Sequence, residues 1–427
     1  MRRPARACPH RGHGPGALAI RTVDPVRFPK LKMTRRSLFK ATAVGGVPAA
    51  AVGVLAGCTH DANDTEADPT VVDESEADDI LSEFEGVDTT LAVEGSWTLP
   101  LGNVLHPAEG TWIPVTTAGS SATPMVTGSA LSLASGELVE VVPEPVSGAA
   151  TSVIYDARCS DSVYAWIELD LVTRAWSLHA SSFSAGALTG ETKTLWEGTS
   201  DYDPAPFAVS GSTVVWQVQP STLGSKTQEH SFCYIWHAGD SDAQAVVESP
   251  GRFATWPTVS GEVVTLAPRV RASEGTYYGV TAYSLSDDLN TRIDQLVMPQ
   301  GVRPFRATRV GDRFLVSVEA SYSTGGLLGQ MGTYIGTSSA GFYRLNREPS
   351  ECGCGNGDLF IVKSNATYLV LDLANRRYSA LPSADRIVDY GEYPARVGEC
   401  DLFVTFSTVK DADTGYPASV AVRTFRL

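Results

Sequence analysis

The chain has little of the chemistry that marks an enzyme. Seven cysteines and seven histidines are spread over 427 residues. None forms a Cys-x-x-Cys-His or iron–sulfur spacing, so no ligand set for haem or a cluster is present. Cys352-Gly353-Cys354 does not match the usual zinc-ligand spacing. No serine sits in Gly-x-Ser-x-Gly, and no glycine run has the strand–turn–helix setting of a phosphate loop. His106, His179, His230 and His237 have no neighbours in sequence that suggest a metal site or a triad. These gaps predict no cofactor, no metal and no catalytic residue. A basic stripe is also missing: the net charge is −15, and nucleic-acid binding is unsupported. Beyond residue 58 no run approaches the ~20 apolar residues that a spanning helix needs, and no long amphipathic helix is legible.

What is present begins at Met33. Thr34-Arg35-Arg36-Ser37-Leu38-Phe39-Lys40 leads into a run rich in Ala, Val and Gly, which ends at Leu55-Ala56-Gly57-Cys58. The first segment resembles the twin-arginine export motif, with Arg35 and Arg36 as its pair. The second resembles the lipobox of bacterial lipoproteins. Together they imply cleavage before Cys58, acylation of that cysteine, and anchoring on the extracytoplasmic face of a bacterial membrane. The alternative is an ordinary secretory signal with an accidental cysteine. Residues 1–32 are rich in Arg, Pro and Gly and read as a gene-model extension ahead of a start at Met33; the alternative is a long n-region. Residues 33–57 are then the signal peptide.

Residues 61–88 carry twelve Asp and Glu and no Lys or Arg. Like charges repel, so 58–88 is expected to be a flexible acidic tether behind the lipidated cysteine. Five cysteines follow Cys58. Cys352 or Cys354 is a candidate partner for Cys400 in an oxidising compartment.

The remainder, 89–427, is periodic. Phe207-Ala208-Val209-Ser210-Gly211, Pro257-Thr258-Val259-Ser260-Gly261 and the stretch ending at Val310-Gly311 repeat at a step of 50 residues. Upstream, Asp161 takes the glycine's place; downstream, Gly357 and Gly398 open shorter units. Each unit reads as a strand, a Gly or Asp turn and a strand apolar on both faces, such as Val214-Val215-Trp216. Two further strands complete the unit. Four strands per 40–50 residues, repeated, is the pattern of an all-β propeller, here with seven blades expected and six as the alternative. The units resemble the TolB-like six- or seven-bladed propellers, a likeness that covers about residues 150–427 and implies fold without catalytic residues. Trp97–Val142 is expected to form a further blade, and a strand near Thr90–Val93 to close the ring.

Extended loops at 219–231, 267–276, 319–332 and 407–417 are expected on one face, as a binding surface. The richest holds Tyr322, Gln330 and Tyr334 as candidate contact residues. The expected partner is a protein or glycan held without chemistry. The alternative is a hydrolase or lyase acting on envelope glycans or peptides from the channel. That alternative calls for carboxylates on the innermost strands, which instead carry Ala157, Ala208, Val209, Thr258 and Arg306.

Overall fold

The computed structural model describes residues 67–118, 125–339, 341–345, 349–350, 353–364 and 367–427. The twin-arginine pair Arg35 and Arg36, the lipobox cysteine Cys58, and Cys352 lie outside the described residues.

Hairpins dictate the architecture. Gly211, Gly261, Gly311 and Gly357 have φ of +50°, +56°, +57° and +57°. Each is the first residue of a two-residue turn, as in Ser210↔Thr213 and Val310↔Arg313. A side chain is disfavoured at such a position, and a Gly-X turn of this kind matches the natural twist of two antiparallel strands. The strands after these turns are buried on both faces: Thr213–Val218 and Arg313–Val318 carry no exposed residue. Each sheet therefore needs a neighbour on either side.

Among the described residues the strands form seven sheets. Six are each built on one contiguous stretch of chain, the fifth with Ala77–Asp79 and the sixth with Glu85–Gly86 and Gly398–Glu399 added at their edges. Their innermost strands are Asn103–Leu105, Ser152–Cys159, Phe207–Ser210, Thr258–Ser260, Arg306–Val310 and Gly353–Asn356. The remaining sheet is composite: Val93–Pro100 pairs antiparallel with Pro417–Arg426, which continues into Leu402–Lys410 and Ile387–Pro394. The propeller class is as expected. The blade expectation is corrected to six contiguous blades and a sheet built from both ends of the described chain. The closing strand is Val93–Pro100, not Thr90–Val93, so Trp97 belongs to the composite sheet and the first blade begins at Asn103.

Apolar side chains fill the spaces between sheets. Trp176 and Leu178 pack with Phe207 and Trp216 between the second and third blades. Leu315 and Ile335 meet Phe360 and Leu371 between the fifth and sixth. Leu99, Val404 and Val422 meet Ile113 and Val115, which seals the ring between composite sheet and first blade. Trp166 and Trp216 are fully buried, as packing residues should be.

The acidic segment is a second correction. From Ala67 onward it is a strap, not a tether. Ala77–Asp79 pairs parallel with the outer strand Phe342–Leu345, and Glu85–Gly86 pairs parallel with Arg377–Ala380. Ile80 and Phe84 are buried between the fifth and sixth blades. The carboxylates find arginines on the blade edges: Asp79 with Arg344 at 3.0 Å, Glu83 with Arg376 at 3.2 Å, Glu85 with Arg377 at 3.2 Å. Exposed pairs contribute little each. Three buried apolar side chains, Val72, Ile80 and Phe84, and the covered sheet edges hold the strap, and the pairs set its register.

Candidate functional site

The innermost strands surround a channel, and its two ends differ. At the hairpin-turn end, residues of opposing sheets meet. The Gly211 N–H donates to Glu109 Oε2 at 2.8 Å, joining third and first blades. The Glu399 N–H donates to Ser260 Oγ at 3.1 Å, joining the edge of the sixth sheet, where Gly398–Glu399 pairs with Gly353–Asn356, to the fourth blade. Gly398 sits in this contact with φ +80°, and a Cβ there would lie 2.4 Å from both Ser260 Oγ and the Val259 carbonyl. Only glycine permits so close an approach. Arg396, nearly fully buried, donates to the Ala108 and Gly110 carbonyls and ties the composite sheet to the first blade.

Above this plug lies a cavity of about 860 Å³. Its lining includes five cations (Arg158, Arg306, Lys363, Arg396 and Arg426) and three carboxylates (Glu109, Glu399 and Asp401). Two of the carboxylates serve the fold, since Glu109 holds Gly211 and Asp401 accepts from Asn356 Nδ2 at 2.8 Å. Three of the cations stand over aromatic rings that also line the cavity. The Arg306 guanidinium is 4.7 Å from the Trp256 ring centre, Lys363 Nζ is 4.4 Å from Tyr393, and the Arg158 guanidinium is 5.4 Å from Phe207. Trp256 and Tyr393 are about half exposed (51% and 49%), unusual for such large rings, whereas Phe207 is buried.

Beside the cavity is a relay that the sequence did not reveal. His106 Nδ1 lies 2.9 Å from Asp156, and its Nε2 lies 2.9 Å from Thr116 Oγ1. Asp156 also pairs with Arg158. Burial alone would raise the Asp156 carboxyl, but Arg158 and His106 outweigh it and hold it at about 2. The order hydroxyl–imidazole–carboxylate has the form of a nucleophile relay. Yet Thr116 is fully buried, and neither it nor His106 lines the cavity. The relay fixes the orientation of Arg158, which does line it.

The loop expected to bind is part of the frame. Tyr334 lies on the strand Gly332–Gly336, buried, with its hydroxyl donating to the Gln330 carbonyl at 2.9 Å. Gln330 Nε2 donates to Glu74 of the strap, and the Leu327 N–H donates to the Val72 carbonyl at 2.9 Å. Tyr322 is half-buried against the same core. Strap and loop cover each other. The loop at 407–417 is also corrected: strand continues through Lys410, and a short turn capped by Asp411 follows.

Cys354 and Cys400 come together. Cys354 is paired in register with Gly398, and the Cys400 N–H donates to the Gly355 carbonyl at 2.8 Å. Both are thiols in this structure. A hydrogen bond from Cys354, helped by Arg396, holds the Cys400 thiol below its ordinary value. Among the described residues no group of three or more His, Cys, Asp or Glu is arranged to hold a metal ion.

Sequence reasoning missed Trp256, Tyr393 and Lys363, but a signal existed. Trp256 and Arg306 stand one repeat step apart, as do His106 and Asp156. The same step that defines the blades places such residues side by side.

No family model and no curated protein sequence matches the chain. Solved structures do. The β-propeller domain of the Trilobed protease from Pyrococcus furiosus is 9% identical, with 75% of this chain and 95% of that one covered, at a TM-score of 0.49. A puromycin hydrolase is 12% identical over 79% of this chain and 54% of its own, at 0.46. An oligogalacturonate lyase from Vibrio parahaemolyticus is 9% identical over 79% and 98%, at 0.42. At these identities the likeness is one of fold.

Proposed function

We propose that this chain is a membrane-anchored, extracytoplasmic binding propeller. It is exported by way of Arg35 and Arg36, held by acylated Cys58, and takes a protein or glycan partner at the open mouth of its channel. The export and anchoring parts rest on the sequence motifs. The binding part is carried by one observation: a cavity of about 860 Å³, plugged at one end, presents the half-exposed rings of Trp256 and Tyr393. A cavity of that size, with apolar rings and a few placed charges, suits a ligand of moderate size. Of the loops first expected to bind, 319–332 is tied to the strap at Gln330 and Leu327, which favours the mouth as the site.

An array of glycans and peptides probed with the full chain and with Trp256→Ala tests this reading. Ligands held by the full chain should bind the variant at least tenfold more weakly, about 1.4 kcal/mol. Equal binding by both would remove the channel mouth from the proposal. The enzymatic alternative, a hydrolase or lyase, uses the same cavity and predicts conversion of a bound ligand on prolonged incubation.

A further inference from the structure

We infer that the channel ligand is an acidic oligosaccharide, one that carries a carboxylate on several of its sugar rings. This deepens the reading above and rests on it. Three observations combine.

The first is the contrast in charge. The chain carries −15 overall, yet the cavity lining holds five cations against three carboxylates. A concave lining with an excess of cations focuses their field and draws anions toward it, although Arg158 and Arg426 are each paired with a carboxylate, Asp156 and Glu94.

The second is the pairing of cation with ring. The face of a sugar ring carries C–H groups that pack on an aromatic plane, while its carboxylate seeks a guanidinium or ammonium beside that plane. Trp256 with Arg306, and Tyr393 with Lys363, supply both elements together. A small inorganic anion would need the cations and make no use of the half-exposed rings. A neutral sugar would use the rings alone.

The third is spacing around the ring. The two pairs with an exposed ring stand two junctions apart. Trp256 and Arg306 bridge fourth and fifth blades, and Lys363 and Tyr393 bridge sixth blade and composite sheet, whereas the Phe207 ring under Arg158 is buried and offers no face. Repeated cation–ring pairs around one cavity match a ligand that repeats a charged ring. The Asp156–His106 relay fits this picture, because it holds Arg158 in place.

The test is calorimetric titration of the full chain in detergent. The probes are a trimer of a hexuronic acid and the corresponding neutral hexose trimer. The acidic trimer should bind, and should weaken by at least tenfold in the Arg306→Gln, Lys363→Gln double variant. It should also weaken steeply as salt is raised in the unaltered protein, a readout that stands even where the variant folds poorly. The neutral trimer should bind at least tenfold more weakly than the acidic one. Equal affinity for the two trimers, or affinity for the acidic trimer that is indifferent to salt, would overturn the inference while leaving the channel as a sugar site. Failure of both trimers to bind would overturn it as well, and the array with Trp256→Ala then decides the broader reading separately.

Discussion

Asp156 shows how much one side chain can hold. It meets His106 at 2.9 Å and pairs with Arg158, while burial works against its charge. Its carboxyl stays ionised down to about 2 in the fold, below the ordinary carboxylate value. A carboxylate depressed in this way adds stability that is fully present above the unfolded pKa. That stability drains as pH falls from about 4 toward 2, and amounts to about 2 kcal/mol. Urea unfolding of the unaltered chain and of Asp156→Asn at pH 7 and pH 3 checks the argument. The variant should be less stable at pH 7 by about 2 kcal/mol or more, because Arg158 loses its partner, and the gap should narrow at pH 3. The relay itself was not legible: nothing near His106 in sequence suggests a partner. Asp156 becomes visible only when residues one repeat step apart are compared, since those positions face each other across a blade junction.

At the scale of elements, the repeats were readable because turn chemistry and burial point the same way. Gly211, Gly261, Gly311 and Gly357 need positive φ, and the strands after them are apolar on both faces. The strap was not readable. A run of Asp and Glu suggests a solvated chain when read alone, and its arginine partners Arg344, Arg376 and Arg377 lie more than 250 residues away. The apolar signal within it, Ile80 and Phe84, is too short to announce a docked segment. The joint between sixth blade and composite sheet carries a prediction of its own. Cys354 and Cys400 lie side by side there, and the lowered Cys400 thiol supplies the attacking thiolate. A disulfide oxidant accepts two electrons from the pair while the two thiols release two protons. On exposure to oxidised glutathione, peptide mapping after alkylation should recover Cys354 linked to Cys400, with Cys159 and Cys233 unmodified because burial raises both thiols and neither has the lowered neighbour that Cys354 has in Cys400. Recovery of a Cys352–Cys400 link would assign the bond to the other cysteine. Two alkylated thiols at Cys354 and Cys400 would show that the contact does not oxidise.

For the molecule as a whole, the composite sheet decides when the ring exists. Val93–Pro100 lies more than 300 residues from its partner Pro417–Arg426, so the loop-closure entropy is met only when almost all of the propeller is in place. Until then the first and last sheets each expose an apolar face: Ile113 and Val115 on one side, Val404 and Val422 on the other. The export proposed above for residues 34–40, which carries folded chains, would let the ring close before the crossing. Leu99 sits at the closure, 4% exposed and packed among those side chains. Replacing it with aspartate buries a charge without a partner in the one joint that no contiguous blade can make alone. Leu99→Asp should therefore lower stability by about 4 kcal/mol or more. The loss should also be uneven. Hydrogen exchange should speed first in Val93–Pro100, Pro417–Arg426 and Trp112–Ala118, while Thr213–Val218, on the far side of the ring, stays protected. Uniform acceleration across all blades would mean that the ring opens as a single unit and that its closure is no weaker than any other junction.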